Sequence, residues 1–258
     1  MPVNDQTSVP AWARGVRTVA ALTGAGVSTD SGIPDYRGPQ GIWTRNPAAE
    51  KLATYHVYVA DPDVRRRSWQ MRRDNPAWTA EPNAAHLALA ELGRSGIPTW
   101  VITQNIDGLH QKAGTPRDRV LELHGTMFEV VCLGCGERTA MADAMTRVNA
   151  GEEDPACQRC GGILKSATVM FGEALDPVVL GCAADAAVAC GLFLAVGTTL
   201  TVEPAASLCR LAVDSGAPLV IVNRDPTPYD GIATAVIRDP IGGALPRIAG
   251  QLIQARAA

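Results

Sequence analysis

No stretch of this 258-residue sequence approaches the ~20 consecutive apolar residues needed to cross a membrane. The first thirteen residues are polar and proline-containing, without the apolar segment of a secretory signal. An excess of one charge is also missing. The 23 Lys and Arg against 26 Asp and Glu leave a net charge of −3. That argues against a nucleic-acid binder working through a broad basic face. Internal repeats and low-complexity tracts are absent. The 25 glycines and 18 prolines are dispersed, which excludes a collagen-like chain. An even cysteine complement is lacking too. Seven cysteines without a signal segment argue against a secreted disulfide framework and for a soluble cytoplasmic protein. The 47% of hydrophobic residues suffices for a substantial core.

The apolar residues fall into short runs with helical segments between them. Arg17–Leu22, Thr99–Thr103, Leu192–Val196, Leu219–Val222 and the weaker Thr234–Ile237 read as strands, the compact ones buried on both faces. Ala85, Leu89 and Leu92 share one helical face that Gly96 can end. Asp176-Pro177 reads as a helix cap with proline at the first helical position, placing Val179, Cys182, Ala186 and Cys190 on one face. Ala205, Leu208, Cys209 and Ala212 mark another helix, and Ile241, Leu245, Ile248 and Leu252 a last one. Alternating strands and helices predict an α/β fold with a doubly wound parallel sheet. Two stretches break the rhythm: the charged region ~45–80 and the cysteine-bearing region ~126–168, which shows little core. The expected division is a large domain from 10–44, 80–125 and 169–258, and a small one from 45–79 and 126–168.

Four motifs carry chemistry. Gly24-Ala25-Gly26-Val27-Ser28-Thr29 follows the first strand. Its glycines allow a tight turn and close approach to a pyrophosphate, although such turns also occur without a ligand. Thr29 stands where a dehydrogenase fingerprint has its third glycine, and no acidic ribose-binding residue is visible downstream. The polar loop after it is either a solvated turn or a flap over a cofactor. The second motif, Thr103-Gln104-Asn105-Ile106-Asp107-Gly108-Leu109-His110, lies at the C-terminal end of a strand, where parallel α/β sheets bind ligands. In the third, Glu122-Leu123-His124-Gly125, the histidine is either a general base or a hydrogen-bonded structural residue. His56, His86 and His110 take the structural reading. The fourth is Cys132-x-x-Cys135, a gap of 21 residues, and Cys157-x-x-Cys160. Two such knuckles make a tetrahedral zinc site, and four thiolates leave no open position, so the zinc is structural. Cys182, Cys190 and Cys209 lie on apolar helix faces and read as core.

Together these pieces resemble the sirtuin family of NAD-dependent protein lysine deacylases, in its bacterial-type form. The resemblance runs from about residue 17 to residue 250 through GAGVSTDSGIPDYRG, TQNIDGLHQKAG, ELHG, the paired CxxC, FGE, GTTLTVEPA and VNRDPT. It implies a Rossmann-like domain, a smaller zinc-binding domain formed by two insertions, and a cleft between them. It implies that Gly24, Ala25 and Gly26 cradle the NAD pyrophosphate beside Ser28 and Thr29. Ile33, Pro34, Asp35, Tyr36 and Arg37 would form the mobile cofactor loop. Gln104 would hold the nicotinamide ribose, and Asn105, Ile106 and Asp107 would line the nicotinamide pocket, Asp107 reading the carboxamide. Gly197, Thr198 and Thr199 would meet the phosphates or the adenosine side. Asn223 would hold the adenine ribose with Arg224 and Asp225 adjacent, and Ile241 would touch adenine.

The same resemblance implies the reaction. The acyl-lysine oxygen attacks the ribose carbon as nicotinamide leaves, His124 activates a ribose hydroxyl, and lysine and acyl-ADP-ribose are released. An acyl-lysine protein or peptide would bind as an added strand against Val169, Phe171, Gly172 and Glu173 and against the 200–203 segment, with Val169 and Phe171 as candidate walls of the acyl-lysine tunnel. There are departures from the family pattern. Tyr36 stands for the usual phenylalanine, Thr199 for serine, and Lys165-Ser166-Ala167-Thr168 lacks an Arg-Pro pair. Trp69-Gln70-Met71-Arg72 stands nearest the Tyr-x-x-Arg of desuccinylases, so acid-acyl specificity is not implied. A mono-ADP-ribosyltransferase and a catalytically weak NAD-sensing zinc-ribbon module remain as rival functions of the same motifs.

Overall fold

The computed structural model describes residues 9–35, 38 and 41–257. Tyr36 and Arg37 of the cofactor loop lie outside the described residues. A six-stranded parallel sheet forms from β1 (Val19–Thr23), β2 (Thr99–Thr103), β3 (Val120–Glu122), β7 (Leu192–Val196), β8 (Leu219–Val222) and β9 (Ala235–Ile237), in the order β3-β2-β1-β7-β8-β9. The chain winds outward from β1 on one side and from β7 on the other. The switch point therefore lies between β1 and β7, where open α/β sheets leave a crevice beyond the strand ends.

β1 shows why its run is continuously apolar. Val19 and Ala21 enter a core with the helices Ala84–Arg94 and Ile241–Ala257. Ala20 and Leu22 enter a second core with the helices Pro177–Ala189 and Ser207–Asp214. Alternate residues point to opposite faces, so a strand covered by helices on both sides needs apolar residues at every position. The expected Asp176 cap is present: its carboxylate accepts from the Val178 and Val179 amides. Gly96 and Gly216 follow their helices with φ of 80° and 91°, a left-handed turn that favours glycine.

One helical face differs from the expectation. Ala186 is buried as expected and Val179 and Cys190 pack beside it, but Cys182 is exposed, and Ala183 and Ala187 fill the core in its place. The segment is apolar all round except for Asp185, so its sequence carries no polar stripe to fix the buried side. Cys209 is buried as expected.

The cysteine-bearing region has a core of its own, contrary to the sequence reading. A three-stranded antiparallel sheet, β5-β4-β6, is built from β4 (Gly125–Cys132), β5 (Arg138–Ala140) and β6 (Leu164–Thr168). Val130, Cys132, Cys157 and Leu164 pack with Met141, Met145 and Val148 of the helix Met141–Asn149 and with Trp69 of the helix Pro62–Arg73. Tyr58 reaches the same sheet, donating its hydroxyl to the Leu164 carbonyl at 2.7 Å. Arg65 pairs with Asp154 at 2.8 Å. No helix among the described residues is long and apolar enough to cross a membrane.

Candidate active site

At the switch point the two central strands end in loops that touch backbone to backbone. The Gly26 amide donates to the Gly197 carbonyl at 2.9 Å. A Cβ on Gly26 would sit 2.8 Å from the Gly197 Cα, and one on Gly24 would sit 2.7 Å from the Gly197 oxygen. No side chain fits at either place, which gives both glycines a steric reason. Gly26→Ala is expected to cost about 1–3 kcal/mol through overpacking and to weaken NAD binding. A urea melt and an NAD titration check both, and unchanged values would mean that the loops separate freely.

These loops open onto a cleft of about 1090 Å³. Gly24, Ala25, Gly26, Thr29, Ile33, Pro34 and Asp35 line it from β1 onward, and Gln104, Asn105 and Ile106 from β2. Gly197, Thr198 and Thr199 line it after β7, and Asn223, Arg224 and Asp225 after β8, with Ile241 beside them. His124, Val169, Phe171, Gly172 and Glu173 complete the wall.

Ser28 and Asp107 are not on that wall. They lie behind it in a buried polar network. The Ser28 hydroxyl donates to Asp107 Oδ2 at 2.7 Å, and the Leu109 amide donates to Asp107 Oδ1 at 3.0 Å. Asn105 Nδ2 donates to the Gly24 carbonyl and to Ser28 Oγ, each at 3.1 Å. His86 accepts from the Asn83 amide through Nδ1 at 3.3 Å, which leaves Nε2–H to face Ser28 Oγ at 3.4 Å. Asn83 and His86 thus form a capping box and also support the cofactor-side loop.

His110 sits 4.8 Å from His86, ring to ring, and its Nε2 meets Thr23 Oγ1 at 3.0 Å. The Thr23 hydroxyl donates to Thr103 Oγ1, which also accepts from the Asn105 amide. Burial, then the neighbouring His86, pushes His110 down to about 3, so it is neutral. Burial also lowers His86, against the opposing pull of Asp107. Both are structural, as their surroundings in the sequence implied.

His124 differs from them. It follows β3, and its Nδ1 lies 2.8 Å from the Gln104 carbonyl. A carbonyl only accepts, so Nδ1 carries the proton and Nε2 of the neutral ring has a free lone pair. Burial holds the ring below the ordinary histidine value, and the Gln104 bond partly offsets that. The result is a fixed neutral imidazole at a cleft wall, the arrangement a general base requires.

The segment 169–173 is already tied to its neighbours. The Val169 amide donates to the His124 carbonyl at 2.8 Å, and Phe171 exchanges backbone bonds with Ala53 and Tyr55. Met170 donates to Glu173 Oε2 and Glu173 to the Met170 carbonyl. Four of its five amides are therefore committed, and Gly172 carries the fifth.

The four knuckle cysteines place their sulfurs within 4.8 Å of one another. Cys132 and Cys160 are 3.4 Å apart, too far for a disulfide bond. The amides of Gly134 and Gly162 point at the Cys132 and Cys160 sulfurs at 3.3 and 3.4 Å. Four converging thiols braced by backbone amides suit one tetrahedral zinc ion.

The Sir2 family model matches residues 24–204 of this chain. NAD-dependent protein deacetylase 2 of Streptomyces coelicolor is 64% identical over 230 residues, covering 89% of this chain and 95% of that protein. The chain belongs to the Sir2 family. Among solved structures it is similar to Sir2 bound to an acetylated peptide, with 32% identity, a TM-score of 0.82 and coverage of 93% and 95% of the two chains. It is also similar to a Sir2 variant with deacetylated p53 peptide and 3′-O-acetyl ADP-ribose, with 34% identity, a TM-score of 0.84 and coverage of 92% and 94%.

In this Sir2 protein the cleft has walls beyond the expected site residues. Leu52, Met71, Arg72, Trp78, Met127, Asp30, Arg238 and Asp239 also line it. Trp69, in contrast, is wholly buried in the small core. Arg238 donates through one nitrogen to the Asn223 and Asp225 carbonyls, each at 2.7 Å, and through another to Asp230. It thus shapes the loop after β8. Nothing local distinguishes Arg238 in the sequence, because its partners lie 8 to 15 residues away.

Proposed function

We propose that this protein is an NAD-dependent protein lysine deacylase, most simply a deacetylase, that transfers the acyl group to ADP-ribose and releases nicotinamide. The observation that carries the reading is His124: a neutral, tethered imidazole on the wall of a cleft that a glycine cradle also lines. When bound, NAD supplies an electrophilic ribose carbon with nicotinamide as leaving group. The cradle fits such a co-substrate, because Gly24 and Gly26 bring bare backbone to the point where the helix-like turn 25–31 begins.

Position supports the following roles. Gly24, Ala25 and Gly26 hold the pyrophosphate with Thr29 beside them, and Ile33, Pro34 and Asp35 flank the cofactor. Gln104, fixed by its bond to Thr198 Oγ1 at 3.0 Å, faces the nicotinamide ribose. Asn105 and Ile106 line the nicotinamide pocket. Ser28 and Asp107 act from behind, orienting Asn105. Gly197, Thr198 and Thr199 meet the phosphates, and Asn223, Arg224, Asp225 and Ile241 the adenosine. His124 Nε2 takes the proton of a ribose hydroxyl as that oxygen attacks the carbon carrying the acyl oxygen. The acyl-lysine peptide lies along Gly172 and the 200–203 segment, near Val169, Phe171 and Glu173. Residues 45–79 and 126–168 form the smaller domain, its zinc structural. A zinc site made of reduced thiolates supports a cytoplasmic location.

An acyl-lysine peptide panel incubated with NAD tests the reading. The expected products are free lysine, nicotinamide and acyl-ADP-ribose in equal amounts. Absence of NAD-dependent deacylation across the panel rejects the assignment. Label transferred from NAD onto protein, without acyl-ADP-ribose, supports an ADP-ribosyltransferase instead.

A further inference from the structure

The last strand of the zinc-bearing sheet, β6, carries a buried cation at its second position, Lys165. Lys165 pairs with Val131, one position from Cys132, whose strand partner is Leu164. Its side chain is only 4% exposed. Its ammonium donates to the Thr168 carbonyl at 2.6 Å and to Glu173 Oε2 at 2.9 Å. The same carboxylate oxygen accepts from the Met170 amide at 2.8 Å. One lysine thus closes both ends of the turn 168–173. That turn is also bonded to the His124 carbonyl through Val169 and to Ala53 and Tyr55 through Phe171.

A buried ion pair is a poor device for stability alone. Here the Lys165 side chain is 4% and that of Glu173 22% exposed; desolvating such charges offsets much of their attraction, and apolar replacements of similar volume are often as stable. Such a pair does define a geometry. Here the geometry is that of the segment that carries Gly172 at the cleft wall, with its φ of 91° and its uncommitted amide. A turn left to itself adopts several shapes, and a peptide strand must select one of them at an entropic cost.

We propose that Lys165 is a positioning residue for the acyl-lysine peptide, its ion pair with Glu173 holding the turn 168–173 in the shape that receives the substrate backbone. The proposal rests on the deacylase reading. It assigns Lys165 a role in peptide recognition and none in the bond-making steps, and it links the metal-bearing sheet to the peptide site through β6.

The test compares wild type, Lys165→Met and Lys165→Arg with an acetyl-lysine peptide and NAD, together with anisotropy of a fluorescent acetyl-lysine peptide. For Lys165→Met the peptide KM and Kd should rise at least about tenfold, equivalent to roughly 1.4 kcal/mol, while kcat and the KM for NAD stay within about twofold. Lys165→Arg should restore most of the peptide affinity. Unchanged peptide KM in folded Lys165→Met overturns the proposal, as does an equal loss in the KM for NAD, which would mark a general structural role. If Lys165→Met does not fold, Lys165→Gln is judged by the same split, since it keeps a polar, hydrogen-bonding side chain and removes the charge. A wild-type protein that binds peptide without deacylating it would count against the reaction and leave the peptide Kd to judge Lys165.

Discussion

His124→Ala should lower turnover by at least ~10²-fold, the usual worth of a positioned general base, while NAD still binds. The structure makes this a clean substitution. The His124 backbone stays anchored, because its carbonyl accepts from Val169 and neither bonded atom is in the side chain. What is lost is the imidazole held by Gln104. The nucleotide cradle lies on the loops after β1 and β7 and does not depend on that ring. Full turnover in the variant would remove His124 from the chemistry.

The same ring sets a pH dependence. Its base form is the neutral one, and burial holds its pKa below the ordinary 6.5. The neutral form therefore persists further into acid than for a free histidine. The acid limb of kcat/KM, attributable to His124, is expected below pH 6.5 and should vanish in His124→Ala. A limb at or above that value would mean that a neighbouring negative charge, absent from the described surroundings, supports the imidazolium.

What the sequence disclosed depended on how local each feature is. Leu192–Val196 and Leu219–Val222 were visible as strands because both faces are buried and every residue is apolar. β4 to β6 were not: β4 is only partly buried, β5 is exposed, and β6 pairs with β4 across tens of residues. The knuckles were legible because their spacing is itself the geometry of the ligands. Asp107 was found by motif, but its orientation was not. A motif gives identity, and only the fold shows that Asp107 is buried with Ser28 and Leu109 each donating to one of its carboxylate oxygens. His86 is 58 residues from Ser28, so no pattern in the chain announces their contact. Cys182 was misplaced because an all-apolar helix gives no phase.

Removing zinc should unfold the smaller sheet while leaving nucleotide binding in place. Cys132 and Cys157 are buried members of the core that also holds Trp69, Met141 and Leu164. They are structural in two senses, as ligands and as packing. Without a cation, four sulfurs within 4.8 Å of one another cannot all ionise, and the knuckles lose the charge that gathers them. Cys157→Ser, or a chelator, is expected to release one equivalent of zinc. A loss of ~4 kcal/mol would lower Tm by roughly 8–16 °C for a chain of this size. Trp69 loses its buried environment in the same step, so tryptophan emission should shift to the red. The cradle at Gly24, Gly26 and Gly197 belongs to the other sheet, and NAD affinity should change little. Peptide binding should be lost, because β6 belongs to the metal-bearing sheet, carries Lys165 and leads directly into the turn beyond it. Metal analysis, a thermal melt and parallel NAD and peptide titrations separate these outcomes. A metal-free protein with unchanged Tm would show that the four cysteines hold together by packing alone.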